Sequence, residues 1–113
     1  MLNLVCYISI ENSIKNVAYS LLGKPYVYGG ASLSGFDCSG FVQYVYARNG
    51  ISVGRSATDQ LYNGYEVSYD NIMVGDIIVW GYGVNNITHT AIYVGNGLMI
   101  HSANPNEGVV INN

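Results

Sequence analysis

An α+β fold, with N-terminal helices packed on a C-terminal antiparallel sheet, is what this sequence predicts. Three observations carry that reading. Apolar residues recur at helical spacing in the first half of the chain, runs rich in Ile, Val and Tyr follow Gly75, and the two kinds of segment do not alternate. Helices first and strands later point to segregated layers rather than to a parallel sheet with crossovers.

The first helix is predicted over 12–22, where Ile14, Val17, Ala18, Leu21 and Leu22 share a face, Asn12 or Ser13 can cap and Gly23 can terminate. Residues 23–36 contain Pro25, Gly29, Gly30 and Gly35 and read as an ordered loop. A second helix is expected over 38–49, with Asp37 as N-cap, Gly50 beyond its end and an apolar stripe of Phe41, Val42, Val45 and Tyr46. A short helix over 57–63 follows from Ser56 as cap, Asp59 three residues later and Gly64 as stop. Strands are predicted over 76–80, 88–94, 98–103 and 108–111. Val94 and Leu98 should flank a three-residue loop, a register that pairs Ala91 with His101 and sets His89 diagonally on the same face.

At 113 residues, half of them hydrophobic and a tenth charged, the chain is expected to fold as a single domain over 1–113 around one core. The formal charge of −3 comes without any Lys/Arg cluster, which argues against a nucleic-acid partner. Residues 1–10 are apolar but lack a basic flank and are shorter than a membrane span, so no membrane partner is expected. A monomer is expected. Two cysteines, Cys6 and Cys38, are too few for a disulfide framework, and both read as free thiols, Cys6 as a structural one.

Cys38 differs from Cys6 in its setting. A helix N-terminus supplies partial positive charge and unpaired N–H groups, which favour a thiolate. A cysteine nucleophile also needs an imidazole base, and the base needs a third group to hold its tautomer. His89 and His101 are the only histidines, and the turn at 95–97 would bring them together although twelve positions separate them. A Cys38–His89–His101 triad is therefore the catalytic reading. The same three residues could instead bind zinc, but a structural zinc site normally has four ligands at paired spacing, so no metal or other cofactor is expected.

Pro25-Tyr26-Val27-Tyr28-Gly29-Gly30 and Phe36-Asp37-Cys38-Ser39-Gly40-Phe41-Val42 resemble the NlpC family of cell-wall cysteine peptidases. Arg55-Ser56 with Gln60, Val74-Gly75-Asp76, Thr88 to Gly95 and Ile100-His101-Ser102-Ala103 continue the pattern in order. One departure is Thr90-Ala91, where relatives usually carry Val-Gly.

The resemblance implies a papain-like fold, with Cys38 as nucleophile, His89 as base and His101 as the group that orients it. It implies that Tyr26 lies beside the nucleophile and helps hold substrate or the oxyanion. Asp37 and Ser39 would meet substrate, for instance the free amine of an N-terminal L-alanine, and Arg55 a substrate carboxylate. The implied activity is peptidoglycan hydrolysis by a D,L-endopeptidase that cuts between γ-D-glutamate and the following diamino acid of a stem peptide. Its partners would be stem peptides or muropeptides, and its location secreted or wall-associated. The alternatives are an amidase that releases the stem from muramic acid and a wall-binding module with a retired site. The expected resting state is a Cys38 thiolate facing a His89 imidazolium.

Overall fold

The computed structural model of the chain describes residues 2–64, 66–83 and 87–113, with side chains from residue 11 onward. The role expected for the Cys6 thiol therefore lies outside the described residues.

Helix α1 spans Leu2–Ser20, so it starts well before the predicted residue 12. Asn12 and Ser13 cap nothing, because the preceding stretch contains no Gly or Pro and continues the helix through them. The predicted stripe survives: Ile14, Ala18 and Leu21 are buried against the rest of the core. Gly23 leaves the helix at φ 91°, a left-handed conformation that glycine takes without a Cβ clash.

The predicted loop over 23–36 holds a small hairpin, β1 (Ala31–Ser32) against β2 (Gly35–Phe36), turning at Leu33 and Ser34. Tyr26 pairs with Phe36 in an isolated parallel bridge, and Val27 N donates to Phe36 O at 3.1 Å. This ties Tyr26 to the residues that lead into the next helix.

Helix α2 (Cys38–Ala47) begins where the sequence placed it: Asp37 is extended at φ −84° and ψ −178°, and its Oδ1 accepts from Gly40 N at 2.6 Å. It ends two residues before the predicted 49, with Arg48 as C-cap and Gly50 at φ 75°. Helix α3 (Ala57–Leu61) is likewise shorter than predicted and is capped by Ser56, whose hydroxyl accepts from Asp59 N at 3.0 Å.

Strands β3 (Ile77–Gly81), β4 (Ile87–Gly95), β5 (Leu98–Ser102) and β6 (Val109–Asn112) form an antiparallel sheet in sequence order. The β4–β5 pairing is Ile92↔Ile100 and Tyr93↔Met99, which one step further sets Ala91 opposite His101, as predicted. The turn itself differs. Gly95 pairs with Leu98 across a two-residue Asn96-Gly97 turn, and the register slips between Tyr93 and Gly95. Asn96 at φ 56° and Gly97 at φ 74° are the two left-handed positions that suit a tight hairpin, and the bulge absorbs the extra residue.

The apolar face of α2 covers the sheet. Phe41, Val42 and Val45 are fully buried with Ile92 and Ile100, and Phe36 packs edge-on against Phe41 at 5.9 Å between ring centroids. The last strand also reaches back to the first loop: Gly23 N donates to Val109 O at 3.0 Å and Val109 N to Lys24 O at 2.9 Å.

Candidate active site

Cys38 is the first residue of α2 and half-buried, and the backbone N–H groups of Thr90 on β4, of Ser39 and of Cys38 itself favour its thiolate form. The helix start thus faces the strand segment that carries His89. Burial raises the Cys38 pKa, the Asp37 charge adds to that, and the three N–H groups only partly oppose it.

His89 and His101 lie on the same side of the sheet, with His89 Nε2 2.7 Å from His101 Nδ1. Their rings meet edge to face at 5.0 Å between centroids. Burial and then the neighbouring His101 lower the His89 pKa to about 4. A raised thiol and a lowered imidazole both favour the uncharged pair. These directions run against the expected thiolate–imidazolium resting state, since burial opposes the stabilisation that the helix N-terminus offers a thiolate.

Tyr26 is half-buried, and its hydroxyl pKa is raised by burial and then by Cys38, Asp37 and Tyr28. It therefore keeps its proton and can donate.

Asp37, Ser39 and Arg55 form one cluster. Arg55 Nη1 donates to Asp37 Oδ1 at 3.1 Å and to Ser39 Oγ at 3.0 Å, and Nη2 donates to Asp37 Oδ2 at 3.0 Å. Burial pushes the Asp37 carboxyl upward, but the hydrogen bonds from Arg55 and Gly40 with the Arg55 charge outweigh it, and its pKa falls below the usual value. Arg55 is thus the fixed partner of Asp37 rather than an unattached cation. Gln60 supports the same corner, since its Nε2 donates to Ser39 O and to Gly54 O, both at 2.9 Å.

Among the described residues no cluster of three or more His, Cys, Asp or Glu side chains is arranged to hold a metal ion. No described helix is long and apolar enough to cross a membrane.

Comparison with known proteins meets this geometry from outside. The model of the NlpC/P60 family matches residues 23–113, the stretch that holds all of these side chains. The chain belongs to the NlpC/P60 family. It is 40% identical over 103 residues to a gamma-D-glutamyl-L-lysine dipeptidyl-peptidase of Bacillus subtilis, covering 89% of this chain and 34% of that protein. It is 43% identical over 81 residues to the probable endopeptidase p60 of Listeria innocua, covering 72% and 17%. The chain thus spans about a third or less of the curated relatives it matches. Among solved structures, the NlpC/p60 domain of the peptidoglycan hydrolase SagA superposes with a TM-score of 0.85 at 38% identity, covering 90% of this chain and 87% of that one. NlpC1 from Trichomonas vaginalis gives 0.81 at 31% identity, covering 88% and 37%.

Two residues of this NlpC/P60 site escaped sequence reasoning. Trp80 stands directly opposite His89 in the β3–β4 ladder, its ring 4.7 Å from that of His89 and 6.5 Å from that of His101. Asn112 on β6 presents Oδ1 2.7 Å from His101 Nε2. Only the strand registers bring them in, and nothing in their local spacing marks them. The Thr90 departure from the family pattern also has a structural counterpart: its hydroxyl is fully buried with no hydrogen-bond partner among the described residues.

Proposed function

We propose that this chain is a cysteine endopeptidase of peptidoglycan, acting as one catalytic domain outside the cytoplasmic membrane on stem peptides. The observation that carries the reading is the His89–His101 hydrogen bond on strands that pack against the helix started by Cys38. In the substrate-free state both reacting groups are neutral. His89 takes the Cys38 proton as sulfur attacks the carbonyl carbon, and the resulting imidazolium is held by His101. The oxyanion that forms accepts hydrogen bonds from the Cys38 backbone N–H and the Tyr26 hydroxyl. His89 then gives its proton to the leaving amine, and water, deprotonated by the same imidazole, hydrolyses the thioester.

The bond we assign is the one between γ-D-glutamate and the diamino acid that follows it. The name of the Bacillus subtilis relative supports that assignment. The Asp37–Ser39–Arg55 cluster supports it too, as a charged, preorganised corner next to the nucleophile where the polar end of a short peptide can bind. An N-terminal amine that binds there meets a carboxylate shared with Arg55, so Ser39 Oγ and the outer edge of Asp37 are its contacts.

Incubation with L-Ala-γ-D-Glu-diaminopimelate, followed by mass spectrometry, should yield the L-Ala-γ-D-Glu dipeptide. Cys38→Ala should abolish this product while Cys6→Ser leaves it largely intact. Release of whole stems from muramic acid, with no cleavage of the free peptide, would make the chain an amidase instead. Equal loss in both folded cysteine variants would overturn Cys38 as nucleophile.

A further inference from the structure

The His89–His101 pair does not end at β5. The β5–β6 register pairs His101 with Val110 and Met99 with Asn112, so alternation places Asn112 diagonally from His101 on the same face. Its Oδ1 lies 2.7 Å from His101 Nε2, while His101 Nδ1 lies 2.7 Å from His89 Nε2. Three strands thereby contribute one link each to a continuous chain of hydrogen bonds.

We propose that Asn112 is a positioning residue that fixes the tautomer of His101, and through it that of His89, so that His89 keeps an unprotonated Nδ1 for the cysteine thiol. The inference deepens the proposed function and rests on its assignment of Cys38, His89 and His101.

Donors and acceptors set the direction of this chain of hydrogen bonds. A carboxamide oxygen only accepts, so His101 Nε2 carries a hydrogen. A neutral imidazole has a single N–H, which leaves His101 Nδ1 with a lone pair. At 2.7 Å that lone pair needs a donor, and the donor is His89 Nε2–H. His89 Nδ1 is then the unprotonated nitrogen. Reversing the amide reverses every link: Asn112 Nδ2 would donate, His101 would donate from Nδ1, and His89 would hold its hydrogen on Nδ1. A neutral His89 of that kind cannot accept the thiol proton. One amide orientation therefore separates the competent tautomer from the incompetent one. Asn112 is exposed, so water would take its place in a truncated side chain. Water both donates and accepts, and it imposes no direction on the chain.

The test is a long-range 1H–15N correlation spectrum of the imidazole rings at pH 7, paired with kinetics on L-Ala-γ-D-Glu-diaminopimelate. In the wild type both rings should be protonated at Nε2 and not at Nδ1. Asn112→Asp, whose oxygens only accept, should keep those tautomers and leave kcat within about twofold. Asn112→Leu should mix the tautomers and lower kcat about tenfold, less than the loss of the general base itself because a fraction of His89 keeps the competent tautomer, with KM unchanged. Protonation of His101 at Nδ1 in the wild type overturns the inference, and so does an Asn112→Leu spectrum identical to the wild type. The ring spectra need no substrate. Predicted tautomers in a protein that cleaves nothing would reject the peptidase reading alone, whereas cleavage with the opposite tautomers would reject only the role of Asn112.

Discussion

In the proposed mechanism His89 stays neutral at rest and holds a proton during catalysis, and its surroundings bear on both. Burial lowers its pKa to about 4, which keeps the base unprotonated through the neutral range. Trp80 supplies part of that burial on one side and His101 receives the Nε2 hydrogen on the other. The acid limb of kcat/KM, which reports the free enzyme, should therefore fall near the low value of His89 rather than at an ordinary histidine pKa. Trp80→Ala opens the ring to water and should move that limb to higher pH, while Trp80→Phe should largely preserve it; a pH–rate series on the three proteins decides the matter. The candidate residues themselves were legible because each sits in a motif: Cys38 behind its cap, His89 and His101 on strands joined by a glycine turn. Trp80 and Asn112 were not. Each acts through a cross-strand neighbour, and a polar or aromatic residue in a strand does not announce which neighbour it faces until the register is known.

Element boundaries divide along the same line between local and distant causes. The start of α2 was legible to the residue because Asp37 caps Gly40 from within the sequence. The start of α1 was not, since an Asn or Ser caps a helix only when the chain before it is non-helical. Close approach makes α2 exacting: a Cβ on Gly40 would run into the carbonyl oxygen of Gly30, which also accepts from Asp37 N at 3.0 Å. Gly40→Ala should destabilise by about 2 kcal/mol through overpacking and cost activity as well, because the helix start must retreat from the loop that carries Tyr26. Denaturant titration and peptide cleavage measure the two effects. In β4 the opposite change is available. Thr90 buries a hydroxyl that finds no partner among the described residues, so Thr90→Val should stabilise by about 1 kcal/mol. It should leave cleavage intact, because the Thr90 group that serves Cys38 is the backbone N–H.

On the scale of the whole molecule, helices covering one face of an antiparallel sheet were legible from composition and order alone, since α2 and the sheet have apolar faces that must meet. Global stability also carries the signature of the site. The folded His89 pKa lies below the ordinary 6.5, so the unfolded chain binds the extra proton between pH 6.5 and about 4. The stability that His89 contributes is present above 6.5 and is lost as the pH falls through that window. Thermal melts at pH 7 and pH 4.5 should show a larger drop in Tm for the wild type than for His89→Gln, and equal drops would mean that the imidazole is not desolvated. The hydrogen bonds that join Val109 to Gly23 and Lys24 have a bearing on biosynthesis. A ribosome releases Cys38 and its helix early, but the fastening of Gly23 and Lys24 waits for β6, and the histidines come after the nucleophile. Until His89 has been added, Cys38 is a thiol without its proposed base.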